Sequence, residues 1–388
     1  MILLLRSDET LQEKVIQDHI QLAPKRKLTP DLERGFMLLF IALAHANLFL
    51  FSADREITMT DQISVFLRQL FIDSRAFPLF AILFGYGLHK LYARQEMKES
   101  PWRETKKILK RRGGWMLVIG FLHASLFFKD IIGVYGFIAL VFAEQLLRLS
   151  NRKMIGLAVT LLTLVGIIAP FMPRGFETLA AAGTAVMENP IEASLIRMFE
   201  WIFYTPFLSY QYIPGVLIGI LIGRSGFLDN PELHKKTLAG IAMIGLSLSI
   251  AGAIPLAMRS SLLWSVEGEI AAAAAKILHI TTGYAGGAGW TALIGLIVVR
   301  LNGNQGRFVR SIAALGQRSL SFYLFQSVMF VLILAPFAGS LGGHLGQMGS
   351  DIIALLVWTL SVLLAAVLAG KSLRGPFESF LRRKSRLS

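Results

Sequence analysis

Apolar runs close to twenty residues long recur along the whole of this chain. A helix of about twenty residues is what the hydrocarbon core of a bilayer requires. No water is available there to bond backbone N–H and C=O groups, so each run must close its own hydrogen bonds as an α-helix. The runs lie at 35–52, 76–93, 113–129, 131–147, 154–172, 201–223, 238–258, 278–299, 319–338 and 351–370. They predict an all-α, polytopic transmembrane helical bundle of about ten spans. Of the 388 residues, 54% are apolar and 16% charged, against about 25% charged in an ordinary soluble domain. That balance excludes a disordered chain and a typical cytosolic enzyme. There is no cysteine, so a disulfide, a thiolate metal site and a cysteine nucleophile are excluded too.

A formal charge of +14 in a soluble protein would suggest nucleic acid. Here the placement of the charges decides otherwise. Of 39 Lys and Arg residues, 31 fall in 1–34, 90–112, 148–153, 224–236, 300–318 and 371–388, which are alternate connections in the ten-span reading. The positive-inside bias then places both termini in the cytoplasm, and an odd span count would destroy the alternation. The excess charge reads as orientation and contact with membrane lipid headgroups, not as a nucleic-acid surface.

Residues 1–33 read as a cytoplasmic or interfacial segment, 34–370 as the bundle and 371–388 as a basic cytoplasmic tail. The first segment has neither the h-region nor the small-residue cleavage site of a signal peptide. Residues 9–23 are expected to form an amphipathic helix on the inner surface. Thr29 reads as an N-cap with Pro30 at the first helical position. No connecting segment exceeds 30 residues, so any chemistry must sit inside the bundle or at its mouths. The segments 53–75, 173–200 and 259–277 read as external, the middle one as a helix lying on the membrane.

Ionisable groups in lipid are costly and are candidates for function. His45 and His123 fall at similar depth in the outer halves of the first and third spans, and His279 opens the eighth from outside. Asp73, Arg75, Lys129 and Asp130 lie at the same outer level. Arg34 and His45 share a helix face about 16 Å apart. Imidazole can stay neutral in a membrane and still accept a proton, so His45 and His123 are candidate general bases. The structural alternative for each is a polar tie between helices. His89 and His234 read as solvated at the inner boundary, and His344 as a loop residue. No histidine pair has metal-site spacing, and no metal is expected. Gly283–Gly289 has the small-residue spacing of close helix packing. Tyr323 and Gln326 share a face of the ninth span, which Arg318 opens from inside.

Several blocks resemble the YeiB-like bacterial membrane proteins, a family labelled as a domain of unknown function. They are Asp31-Leu32-Glu33-Arg34-Gly35, Pro78 to Gly87, Arg111-Arg112 through Gly120-Phe121-Leu122-His123, Asp130, and Tyr135-Gly136. Further along come Gly219, Arg224 and Gly226, then Gly316-Gln317-Arg318-Ser319-Leu320-Ser321-Phe322-Tyr323-Leu324-Phe325-Gln326-Ser327, and Gly375-Pro376-Phe377-Glu378. The order is kept over residues 30–381. The resemblance implies a multi-pass protein of the bacterial cell membrane. It also implies distant kinship with transmembrane acyltransferases, which include glycan O-acetyltransferases and heparan-α-glucosaminide N-acetyltransferase.

That kinship implies transfer of an acyl group from a cytoplasmic acyl-CoA to an acceptor across the membrane, a lipid-linked or cell-wall sugar. His45 stands from Arg34 much as the catalytic His stands from Arg-Gly in the O-acetyltransferases, where many YeiB-like members carry Asn; Asn47 lies close by. His123 follows the YeiB-like pattern itself. Arg34, Asp73, Arg75, Asp130, Arg318, Tyr323 and Gln326 are then the candidates for binding substrate or acyl group. Lys106, Lys107, Lys110, Arg111 and Arg112 would attract the polyanionic donor. The competing readings are a transporter or lipid-handling protein without acyl transfer, and a non-catalytic membrane scaffold.

Overall fold

The computed structural model describes residues 27–51, 55–171, 183–264, 268–301 and 303–385. The expected 9–23 helix and part of the 173–200 segment lie outside them. Each of the ten expected spans overlaps a helix, and no strand occurs among the described residues. In chain order the helices are α1 (Leu28–Ala46), α2 (Met59–Phe71), α3 (Ala76–Glu96), α4 (Trp102–Ala124) and α5 (Ile132–Phe137), followed by a π-helical stretch (Ile138–Phe142) and α6 (Ala143–Arg148). Then come α7 (Asn151–Ile168), α8 (Pro190–Ser225), α9 (Lys235–Ser260), α10 (Glu269–Leu301), α11 (Arg307–Gly316), α12 (Ser319–Leu334), α13 (Gln347–Gly370) and α14 (Pro376–Ser385). By length and composition, 7 helical stretches among the described residues can cross a membrane, and up to 8 if α11 and α12, bent by 87° at residues 317–318, count as one.

Local chemistry sets several boundaries. α8 runs for 36 residues and starts 11 before the expected span. Asn189 caps it by accepting from the N–H groups of Ile191 and Glu192, Pro190 follows at the first position, and Gly226 ends it at φ 72°. Asn before Pro at the start and a left-handed Gly at the end are preferred because each satisfies or avoids an orphan backbone group. α2 lies inside 53–75, expected as a connection, and a capping box between Thr58 and Asp61 opens it. At α1 the helix already includes Leu28, so Thr29 is a buried helical residue and not the expected cap.

The exposed surface is apolar where a water-soluble helix would be polar. On α2, Met59, Ile63, Leu67 and Phe71 are exposed, while Asp61, Ser64 and Arg68 are buried. α7 and α13 likewise expose Ile155, Val159, Ile167, Leu356, Leu363 and Val367. In water such surfaces would aggregate; against lipid tails they cost nothing. The protein is a multi-pass membrane protein by this fold.

Glycines set the closest helix approaches. α8 packs along α3, where a Cβ added at Gly85 would strike the Val216 carbonyl and one at Gly219 the Ile82 carbonyl. Backbone cannot swing aside as a side chain can, so only glycine fits. Replacing Gly219 by valine is expected to cost roughly 1–3 kcal/mol or more by overpacking. Thermal unfolding of the detergent-purified variant checks this; an unchanged midpoint would contradict the packing.

Two ends of the bundle are defined by contact. At one, Lys27 donates to Asn230, Lys90 and Tyr86 meet Asp229, and Arg224 bonds the Leu147 and Leu149 carbonyls and Asn151. The basic segments thus gather there. At the other end Arg55 pairs with Asp61, and Asp61 accepts the Met348 N–H.

Candidate functional site

Opposite the basic end the bundle encloses a cavity of about 920 Å³. Its lining comes from α1, α2, α3, α8, α9, α10 and the start of α13, together with the 128–131 segment. Exposed Glu56 and Ile57 border it. Of the residues expected from sequence, His45, Asp73 and Asp130 line it, as do Lys129 and His279.

His45 occupies the last turn of α1. Its ring lies 4.5 Å from that of Phe127 and 6.0 Å from that of Tyr323, centroid to centroid. Among the described residues nothing hydrogen-bonds this imidazole, which leaves its nitrogens to whatever fills the cavity.

His123 is placed differently. It is 2% exposed and does not line the cavity. Its Nδ1 is 2.9 Å from Asp130 Oδ1, and its Nε2 is 2.8 Å from Ser327 Oγ. Asp130 also accepts from Ile132 N (3.1 Å), Gly133 N (2.7 Å) and Trp201 Nε1 (3.0 Å). A group met by N–H donors on every side is an acceptor, which places the imidazole proton on Nδ1 and leaves Nε2 to accept from Ser327. Tight geometry around Asp130 depends on Gly133, where any side chain would collide with Trp201 and with the carboxylate.

The remaining expected residues divide by location. Arg75 is 1% exposed, and its guanidinium is consumed holding α3 to α9 and α10. Nε donates to Ser249 Oγ (2.9 Å), Nη2 to the Ser249 carbonyl (2.7 Å), and Nη1 to the Asp73 carbonyl (2.6 Å) and to His279 Nδ1 (3.0 Å). Tyr323 lies buried between the two histidine rings, its hydroxyl 3.5 Å from the Lys129 carbonyl. Gln326 is 1% exposed, and neither atom of its amide finds a partner among the described residues. The Tyr135 hydroxyl is buried in the same condition.

Arg34 and Arg318 are not at the cavity. Arg34 pairs with Asp31 at 3.6 Å near the basic end. Arg318 bonds the Leu373 and Ala314 carbonyls at the bend between α11 and α12. Both anchor the fold there. Beside Arg318, Glu378 of α14 accepts from Leu320 N (2.7 Å), Ser321 N (3.1 Å) and Ser321 Oγ (2.5 Å). It caps α12 from a distance, as an anion at a helix N-terminus does. Glu378→Ala is expected to weaken this docking by about 1–2 kcal/mol, a cap's worth. Faster tryptic cleavage at Arg382 and Arg383 in folded protein would register it.

Of the expected donor-attracting cluster, Lys106 pairs with Glu144 at 2.7 Å, and Lys107, Lys110, Arg111 and Arg112 are exposed. Lys106 and Lys110 border a groove of about 440 Å³ beside the π-helical stretch. Such stretches are rare and frequent at functional sites. The described residues contain no His, Asp and Glu group able to hold a metal ion.

Two elements escaped the sequence reading. Ser327 stood inside a quoted motif with no role, although it lies one helical turn beyond Tyr323. Arg68 bridges Asp73 (3.1 Å) and Asp351 (3.5 Å), and Ser64 also bonds Asp351; Arg68 and Asp351 are 283 apart in the chain, and no local pattern links them.

Fold and site together define a polytopic helical membrane protein with a cavity of mixed polar and apolar lining opposite its basic end. The sequence family described as "Protein of unknown function (DUF418)" matches residues 222–387, in accord with the YeiB-like motifs found there. The chain is also similar to the uncharacterized protein YxaH of Bacillus subtilis (strain 168), at 24% identity over 407 aligned positions that cover 92% of this chain and 94% of that protein.

Proposed function

We propose that this protein is an acyltransferase of the bacterial cell membrane. In this reading it takes an acyl group from an acyl-CoA at its basic, cytoplasmic end and delivers it to a hydroxyl of a lipid-linked or cell-wall sugar in the cavity at the other end. Both termini then lie in the cytoplasm, and His45 is the general base for the acceptor. The single observation that carries the reading is His45 itself, an imidazole at the cavity wall with no bond to any described residue. Acyl transfer needs a base within reach of the acceptor and donors for the developing oxyanion. The mixed polar and aromatic lining, with Tyr204, Gln211 and Tyr212 among it, suits a sugar. The exposed cations near the 440 Å³ groove suit a polyanionic donor.

Purified protein in liposomes with extracted envelope lipids should consume acetyl-CoA and label a lipid, and His45→Ala and His123→Ala should each stop it. Full turnover in both variants would end the chemical argument.

A second reading, a transporter, draws on Glu33. It is 0% exposed, one oxygen accepts from Thr291 at 2.6 Å, and the other has no partner among the described residues. A carboxyl held this way inside a bundle suits a proton or cation path. Substrate flux in proteoliposomes without any acyl donor, abolished by Glu33→Gln, would favour it.

A further inference from the structure

We propose that Ser327 carries the acyl group as a covalent ester between its two ends of transit, activated by His123 and Asp130. The inference deepens the acyl-transfer reading and rests on it.

Three observations support it. First, Ser327 Oγ, His123 Nε2, His123 Nδ1 and Asp130 Oδ1 form an unbroken chain of two hydrogen bonds, 2.8 and 2.9 Å. A hydroxyl on an imidazole whose far nitrogen is held by a carboxylate is the arrangement that activates serine on unrelated folds, and it is recognised by geometry, not by sequence order. A polar tie between helices needs only one bond; here Asp130 fixes the ring with four N–H donors around it. Second, Ser327 is eight residues into the sixteen of α12, whose first residue lies at the basic end. It is therefore about 12 Å from that end and midway along the helix. Ser327 is 2% exposed and lines neither the cavity nor the groove, so the bundle must open to it from each side, and donor and acceptor need not then meet directly. Third, neighbouring Gln326 is buried with its amide unbonded. A buried amide without partners is costly unless a ligand supplies them, and an amide N–H is a donor of the kind that stabilises an oxyanion.

The chemistry balances. Ser327 Oγ forms a bond to the acyl carbon while its proton passes to His123 Nε2. The carbon–sulfur bond breaks, and the thiolate leaves toward the basic end, where water protonates it. In the second step the acceptor oxygen bonds the acyl carbon, and its proton passes to His45 and out through the cavity. The ester bond to Oγ breaks, and Oγ recovers its proton from His123.

The test uses the full-length protein in detergent. After incubation with acetyl-CoA and no acceptor, peptide mass spectrometry should find one acetyl group on Ser327. His45→Ala should accumulate that ester when acceptor lipid is added, because only the second step is blocked. A fluorophosphonate probe, which needs no acyl donor, should label Ser327 in the wild type and in His45→Ala but not in His123→Ala. Ser327→Ala removes one oxygen and should lose both signals. If that variant fails to fold, Ser327→Cys keeps the shape and should hold its acetyl as a thioester that neutral hydroxylamine releases. Absence of both acetyl-serine and probe label, or wild-type turnover in Ser327→Ala, overturns the proposal. Probe label at Ser327 without any consumption of acetyl-CoA overturns the acyl-CoA reading instead and leaves a serine nucleophile of other specificity.

Discussion

Asp130→Ala is expected to destabilise the protein by roughly 3–5 kcal/mol, the range for breaking a buried charged network from one side. The substitution removes the one acceptor that His123 Nδ1, the Ile132 and Gly133 N–H groups and the Trp201 ring N–H share among the described residues. Each donor left unbonded in a dry interior costs about 1–3 kcal/mol, and the three elements they belong to lose their common anchor. Against a total stability of about 5–15 kcal/mol, the variant should unfold at a far lower temperature or fail to purify as a single species. Asp130→Asn keeps the shape but turns two donors toward the N–H groups, so it should fall between the two. Thermal unfolding and size-exclusion profiles of the three proteins decide; an Asp130→Ala protein with the wild-type midpoint would show that the carboxylate anchors nothing.

His45→Ala should do the reverse. Its ring meets Phe127 at a tilt and Tyr323 edge-on but already borders empty space. Removing it extends a cavity that exists and abandons no hydrogen bond among the described residues. A loss of about 1–2 kcal/mol is expected, at or below the low end for truncating a large side chain to alanine, because the ring, though only 8% exposed, faces a cavity that already exists. On the proposed acyl-transfer reading, turnover should by contrast fall about 10²–10⁴-fold, the usual contribution of a positioned base. The two measurements on one preparation separate a group placed for chemistry from one placed for folding. A large fall in the unfolding temperature with turnover retained would assign His45 to the fold.

Much of the helical layout was legible. Ten apolar runs each overlap a helix, because the hydrocarbon requirement imposes a length that can be read directly from the residues. What was misread involved helix that is not apolar. α2 buries Asp61, Ser64 and Arg68 and turns Met59, Ile63 and Leu67 outward, so averaged over a window it looks like a connection. Its capping box, Thr58 to Asp61, and the Asn189-Pro190 start of α8 were available signals. The 87° bend at Gln317 and Arg318 was hidden, since it depends on Arg318 reaching Leu373 and Glu378 reaching Leu320, more than 50 residues away.

The candidate site was half legible. Depth along each span brought His45, Asp73 and Asp130 to one level, and the fold places them at one cavity. Depth carries no information about rotation around the helix axis or about partners on other helices. Hence Arg75 was grouped with the cavity although it is spent on Ser249 and His279, and Ser327 was passed over although it completes the chain from Asp130.

By itself, then, the sequence determined that this chain is a helical membrane bundle with most of its cations in alternate connections. Those properties follow from composition and spacing, which act locally and sum along the chain. Only the tertiary structure decided which imidazole meets open space and which is locked between Asp130 and Ser327. That outcome depends on contacts between residues seven and 204 positions apart, set by how whole helices pack and not by any single segment.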